Sequence, residues 1–171
     1  RPAVRMSTPT PDEIAELLQV EYLLDQRWPE TKIEPSTVRI EALLEMLGSP
    51  QRGYPSIHVA GTNGKTSVTR MIDALLRALH QRTGRNSSPH LQSVTERIAM
   101  DGEPITARTF VDTYRELQPY LDLVDQRSEE AGGPRMSYFE VLTAMAFAAF
   151  ADEVGLGTTA DRVLAALTVT T

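Results

Sequence analysis

Ser56-Ile57-His58-Val59-Ala60-Gly61-Thr62-Asn63-Gly64-Lys65-Thr66-Ser67 runs from a short apolar stretch into a glycine-bounded loop that ends in Gly-Lys-Thr-Ser. An amphipathic segment follows, with Val68, Met71, Ile72, Leu75 and Leu79 at i, i+3, i+4, i+7 and i+11. That spacing marks one face of a helix. Strand, loop, helix is the order in which a chain builds a phosphate cradle. Backbone N–H groups of the loop and the free N–H groups at the helix start point at the anion, a lysine neutralises the outer phosphates, and a hydroxyl holds magnesium. Gly61, Thr62, Asn63 and Gly64 would supply the cradle, Lys65 the charge on the β- and γ-phosphates, and Thr66 or Ser67 a contact to phosphate or metal. The same two hydroxyls could instead cap the helix. The full Walker spacing asks for glycine at the position of Val59, so this is a shorter form, Gly-Thr-Asn-Gly-Lys-Thr. The expected ligand is a nucleoside triphosphate, ATP.

Composition narrows the remaining classes. A chain of 171 residues with 41% hydrophobic and 23% charged residues can bury one domain core. A net charge of −6 with no basic stripe argues against nucleic acid as the partner. The absence of cysteine excludes disulfides and zinc–thiolate sites. The longest apolar-rich stretch, Val141 to Ala151, is too short to cross a bilayer, so no membrane is expected and a cytoplasmic monomer is the default. His58, His80 and His90 are not spaced as a metal pair on one helix face.

Around the loop the chain reads as helices. Residues 1–9 read as a frayed terminus. Thr10-Pro11-Asp12-Glu13 is a capping box with proline at the first helical position, and Trp28-Pro29 should end that helix. A second helix starts near Ser36, carries Ile40, Leu43, Leu44 and Leu47, and stops at Gly48. Gly84 is placed to cap the helix that follows the phosphate loop. Residues 85–97 read as a long polar loop, and long loops beside a phosphate site tend to be functional. Asp101-Gly102 is a hairpin turn between Ile98-Ala99-Met100 and Glu103-Pro104-Ile105. Thr106 caps a long helix that Pro119 should kink, and Ser137-Tyr138-Phe139-Glu140 opens an almost wholly apolar one. Thr159 to Leu167 reads as a short terminal helix. The fold expected is α/β, a mainly parallel sheet flanked by helices with a small hairpin.

At several of these blocks the sequence resembles a known family. Val59 to Thr66 looks like the nucleotide loop of the Mur ligase superfamily. Ser88-Pro89-His90-Leu91, Glu96-Arg97-Ile98, Gly102-Glu103-Pro104-Ile105 and Tyr138-Phe139-Glu140-Val141-Leu142-Thr143 resemble its folylpolyglutamate synthase and dihydrofolate synthase branch. The resemblance spans roughly residues 36–157 and implies a Mur-ligase-like central domain, with the ligase domain running over 10–157 and the helix at 158–171 outside its native context. It implies an ATP- and Mg2+-dependent amide ligase. The carboxylate of dihydropteroate, or of a folate (poly)glutamate tail, would be activated as an acyl phosphate and attacked by the amine of L-glutamate.

The resemblance also assigns residues. Ser88 and Glu153 become magnesium ligands beside Thr66, and Lys65 the catalytic lysine. Pro89, His90, Leu91, Arg97, Phe139, Glu140, Glu30, Ile33 and Arg39 fall where the substrate is approached. By themselves the same residues have plainer readings: Ser88 as a turn former, Phe139 as core, Glu140 as a cap, Arg97 as a surface strand residue, His90 as a loop histidine bonded to backbone. No general base is identifiable. Two departures stand out. Glu153-Val154-Gly155-Leu156-Gly157 has no strand before it, and Gly157 is followed by Thr158 where the family has a second glycine and later a glutamate-binding domain. The rivals are a peptidoglycan-precursor ligase with the same loop, against which the Ser-Pro-His-Leu and Tyr-Phe-Glu blocks speak, and a truncated nucleotide-binding module without catalysis.

Overall fold

The computed structural model describes residues 8–28, 36–155 and 164–169. Two helices lead: α1 (Pro11–Asp25) and α2 (Val38–Met46). The alternating part follows with β1 (Ser56–Val59), α3 (Lys65–Ala78), β2 (Arg82–Asn86) and the hairpin β3 (Ile98–Met100) and β4 (Glu103–Pro104). Then come α4 (Ala107–Glu130), α5 (Tyr138–Gly155) and β5 (Leu164–Val169). The sheet has the order β1-β5-β2-β3-β4. β5 pairs in parallel with both β1 and β2, and the β3–β4 hairpin extends β2 antiparallel. The parallel centre and the small hairpin match the expected α/β architecture. Among the described residues no helix is long and apolar enough to cross a membrane.

Local signals place most elements. Thr10 accepts from Glu13 N–H at 3.2 Å while the Glu13 carboxylate accepts from Thr10 N–H at 2.8 Å, the reciprocal cap the sequence announces. Ser137 and Glu140 repeat it at α5, at 3.1 and 2.7 Å. Thr106 caps α4, which continues unbroken through Pro119. Helix α1 stops at Asp25, before Trp28-Pro29.

Three expectations are corrected. Gly84 is not a helix cap. His80 takes the left-handed position after α3 (φ 59°), and Gln81 N–H reaches back to Leu76 O at 3.0 Å, so the helix closes without glycine. Gly84 sits in β2, where an added Cβ would lie 2.5–2.8 Å from ring carbons of the fully buried Phe150. Residues 85–97 are not one loop: β2 extends to Asn86, and a 3-10 turn covers Val94–Arg97. The terminal helix is also overturned, because residues 164–169 form β5, inserted between β1 and β2. Leu-Ala-Ala-Leu reads as helix on propensity, but parallel neighbours on both sides impose a strand. Glu30 and Ile33 lie outside the described residues.

The core lies between the sheet and the helical layer. Leu24, Leu43, Phe110, Leu117, Leu121, Met145 and Phe150 are all below 2% exposed. Helix α5 packs on β2 through Phe150, while α3 covers β2 and β5. Asp125, 2% exposed on α4, ties the helices together. It accepts from Met136 N–H at 2.7 Å, Arg27 at 3.0 Å and Arg135 at 3.2 Å, and Arg27 also donates to Met136 O at 3.1 Å. A buried carboxylate needs such partners, because unpaired it would lose most of its hydration without return.

Two predictions follow from this packing. Gly84→Ala should lower stability by about 1–3 kcal/mol, since the ring of Phe150 has no room to retreat; chemical denaturation would detect it, and an unchanged midpoint would contradict the packing. Asp125→Ala should cost about 3–5 kcal/mol by leaving Arg27 buried without its carboxylate, read from the same curves.

Candidate functional site

The parallel sheet sets the C-terminal ends of β1 and β2 on one edge, flanking β5. The phosphate loop leaves β1 and enters α3 there. Gly61 (φ 151°) and Gly64 (φ 74°) take positive φ, and at Gly64 any side chain would be disfavoured. Gly64 is also the N-cap of α3, and no side chain caps that end. The first N–H groups of α3 are therefore not engaged by a cap, which is the arrangement an anion requires. Thr62, Asn63, Thr66 and Ser67 are exposed. Lys65 Nζ donates to Gly61 O, so its ammonium already lies across the loop. Thr69, buried beneath, anchors the first turn by donating to Lys65 O at 2.8 Å.

The chain leaving β2 brings the second part. Ser87 N–H donates to Arg97 O at 3.0 Å, fixing the start of the turn. Ser88 is 7% exposed, and its Oγ is buried with no hydrogen-bond partner. A buried hydroxyl without a partner is costly unless something else supplies one. The Ser88-Pro89 peptide bond is cis. Glu96 holds the rest of the turn: its carboxylate accepts from Leu91, Gln92 and Ser93 N–H at 2.9, 3.0 and 3.0 Å. Those bonds, Leu91's foremost, keep the Glu96 carboxyl below its ordinary value. The support is therefore complete above the ordinary carboxylate range and fades as pH falls through the depressed value. Glu96→Gln should destabilise the protein at neutral pH. The gap to the wild type should close in acid, and denaturation curves at both pH values would read it.

Arg97 joins this turn to the start of α5, and Glu140 joins that start to α2. Arg97 is 7% exposed, donates to His90 Nδ1 at 2.9 Å and stacks over Tyr138 with its guanidinium carbon 5.0 Å from the ring centre. It is not a surface strand arginine, and His90 is bonded to a side chain rather than to backbone. With Nδ1 occupied, His90 is oriented by Arg97. Glu140 pairs with Arg39 at 3.2 Å and accepts from Ser137 N–H, so its oxygens are already engaged. Arg39 also stacks on Trp28 at 5.8 Å. Phe139 is half-buried rather than core. Glu153 lies in the last turn of α5, and its side chain is outside the described residues.

Thr66, Ser87 and Pro89 line one cleft, so the phosphate loop and the turn after β2 meet. Leu91, 85% exposed, stands at its rim. Sequence reading missed the wall of this cleft. Thr66, Arg70, Asp73 and Arg77 fall at i, i+4, i+7 and i+11, one polar face of α3 turned to β2. Asp73, 3% exposed, accepts from the Thr83 hydroxyl and lies 3.5 Å from Arg77 and 3.9 Å from Arg85. Burial pushes the Arg85 guanidinium below its ordinary value; Asp73 opposes that shift, and Arg70 and Arg77 add to it. The apolar stripe of α3 consequently faces outward, with Val68, Met71, Leu75 and Leu79 exposed. Among the described residues no three of His, Cys, Asp and Glu cluster as a protein-only metal centre. A magnesium ion that keeps waters and phosphate oxygens as ligands asks for less, and the unpartnered Ser88 hydroxyl fits it.

No protein-family model matches the chain. It is 66% identical over 160 residues to a dihydrofolate synthase/folylpolyglutamate synthase of Mycobacterium tuberculosis, covering 87% of this chain and 33% of that protein. Among solved structures, the Mycobacterium tuberculosis folylpolyglutamate synthase complexed with ADP superposes with a TM-score of 0.81 at 61% identity, over 92% of this chain and 32% of that one. The Thermotoga maritima folylpolyglutamate synthase superposes at 0.76 with 36% identity, over 91% and 33%. The chain spans about a third of the length of the relatives it matches. The cradle, the turn that follows β2 and the capped start of α5 thus occur together in a chain homologous to folylpolyglutamate synthase/dihydrofolate synthase.

Proposed function

We propose that this chain is the nucleotide-binding part, over residues 10–157, of a ligase that joins L-glutamate to dihydropteroate or to a folate (poly)glutamate. The observation that carries the reading is the uncapped start of α3, opened by Gly61 and Gly64, on the same cleft as the turn that holds the unpartnered Ser88 hydroxyl. The ADP complex of the Mycobacterium tuberculosis relative supports the nucleotide. In this account the backbone donors of Gly61 to Ser67 orient the polyphosphate. Lys65 exchanges its bond to Gly61 O for phosphate oxygens and neutralises charge that grows on them as the γ-phosphoryl leaves. Ser88, Thr66 and Glu153 would hold Mg2+, which supplies charge neutralisation between the phosphates.

The chemistry is two displacements. A substrate carboxylate oxygen attacks the γ-phosphorus and ADP departs, leaving an acyl phosphate. The amine of glutamate then attacks the acyl carbon, inorganic phosphate departs and the amine loses its proton. His90 Nδ1 is not free to take that proton, because it accepts from Arg97. Substrate would be met by Pro89, His90, Leu91 and Arg97 from the turn and by Phe139 and Glu140 from α5, with Arg39, Glu30 and Ile33 from the segment around α2. Arg39 and Glu140 act there as a mutually oriented pair. The protein is proposed to work as a cytoplasmic monomer.

Calorimetric titration of MgATP into the chain tests this directly. The wild type should bind. Lys65→Ala should weaken binding by about tenfold or more, the loss of one charge-assisted contact. Ser88→Ala should abolish the dependence of binding on Mg2+ while leaving metal-free ATP affinity unchanged. Equal affinity of Lys65→Ala and wild type would remove the nucleotide assignment. Absence of any dihydropteroate binding beside bound nucleotide would instead favour a nucleotide-binding module without ligase chemistry.

A further inference from the structure

The bond between Arg97 and His90 can run in one direction only. A guanidinium offers N–H groups and no lone pair, and it is not deprotonated in a protein. Arg97 Nε therefore donates, at 2.9 Å, and His90 Nδ1 must present its lone pair. The ring hydrogen then sits on Nε2. Several contacts keep Arg97 in that role. It is buried, and its guanidinium carbon lies 5.0 Å from the centre of the Tyr138 ring. Tyr138 is itself buried and tied through its N–H to Trp28 O at 3.1 Å. On the other side Ser87 N–H donates to Arg97 O at 3.0 Å, which pins the backbone of the arginine to the end of β2. Moving the ring hydrogen to Nδ1 would set N–H against N–H and leave a buried guanidinium donor empty, which is costly.

The Nε2 edge of the ring is the open one. His90 is half-buried, and its Nδ1 edge is the one packed against buried Arg97. Among the described residues nothing accepts from Nε2. The nearby Glu96 carboxylate is occupied by the N–H groups of Leu91, Gln92 and Ser93. We infer, taking the turn after β2 as part of the ligase site, that Arg97 is a positioning residue that fixes His90 as a hydrogen-bond donor to a substrate oxyanion, and that His90 is not the base of the reaction. With both ring nitrogens committed, His90 has no lone pair to offer the glutamate amine. It holds an oxygen in place instead, and the charge of Arg97 behind the ring strengthens Nε2–H as a donor. Phosphoryl and carboxylate oxygens share this chemistry.

The test is nitrogen-15 NMR of the uniformly labelled chain without nucleotide. The wild type should show a scalar coupling across the hydrogen bond from Arg97 Nε–H to His90 Nδ1, with the ring hydrogen on Nε2. Inorganic phosphate and acetate are then added in separate titrations, and at least one should move the Nε2–H resonance saturably. A stronger response to phosphate marks a phosphoryl group as the source of the oxyanion, and a stronger response to acetate marks a carboxylate. Anion affinity is also read from the amide shifts of residues 88–92 in two variants. His90→Gln sets a carboxamide N–H near the position of Nε2 and should stay within about threefold of the wild type. His90→Asn sets its amide at the position of Nδ1 and should lose about tenfold. Arg97→Met should abolish the coupling and weaken the anion about tenfold; should that variant not fold, the Gln and Asn pair decides. A ring hydrogen on Nδ1, a missing coupling in the wild type, an Nε2–H resonance that neither anion moves, or equal affinity of the Gln and Asn variants would overturn the inference. None of these measurements needs nucleotide, so a failure of the MgATP titration is scored separately.

Discussion

Parallel pairing of β5 with β1 on one side and β2 on the other is the constraint on which the site depends. Two strands that run the same way finish at the same edge. The loop that leaves β1 and the turn that leaves β2 are therefore delivered to one cleft although they are separate in sequence. In open α/β sheets this edge is where ligands bind, because helix starts and strand ends converge there. The phosphate loop exploits the convergence with backbone groups. Gly61 and Gly64 give the turn its shape, and the uncapped start of α3 supplies the donors. Without the strand between them, the two halves of the site would have no fixed relation.

Polar side chains, most of them buried, then hold each half in place. Asp125 gathers α4, the end of α1 and the approach to α5. Glu96 gathers the turn after β2, and Asp73 ties α3 to that strand. Glu140 does two things at once, capping α5 and pairing with Arg39. The buried ones among them, Asp125, Asp73 and Glu140, contribute through geometry: paired, they specify one arrangement, and unpaired, they cost several kcal/mol. Among the described residues four buried side-chain atoms have no hydrogen-bond partner, Gln51 Oε1, Arg85 Nε, Ser88 Oγ and Thr143 Oγ1, and two of them, Ser88 Oγ and Arg85 Nε, belong to β2 and the turn that follows it. The Ser88 hydroxyl is the one proposed as a magnesium ligand.

The sequence was legible where chemistry is local. Capping boxes at Thr10 and Ser137, the Asp101-Gly102 turn and the glycine-bounded loop are each set by a few adjacent residues, and each appears where expected. It was illegible where neighbours decide. Leu164–Val169 has the composition of a helix, yet it is a strand because β1 and β2 leave a vacant register between them. Gly84 looked like a cap, but its reason lies in Phe150, many residues away. The apolar stripe of α3 was read correctly as a helix face, but nothing local says which face turns to the sheet. Asp73 and Thr83 decide that, and with them the arginine-lined cleft. Arg97 and His90 were singled out from the family resemblance; their bond to each other, and the stacking on Tyr138, needed the fold.

Backbone amide chemical shifts recorded while MgATP is added to the chain would show whether the loop after β1 grips phosphate. The largest changes should fall on residues 61–67, whose N–H groups would receive the phosphates, with a second set at Ser88 that appears only when magnesium is present. Shifts confined to other parts of the chain, or none at saturating nucleotide, would contradict it.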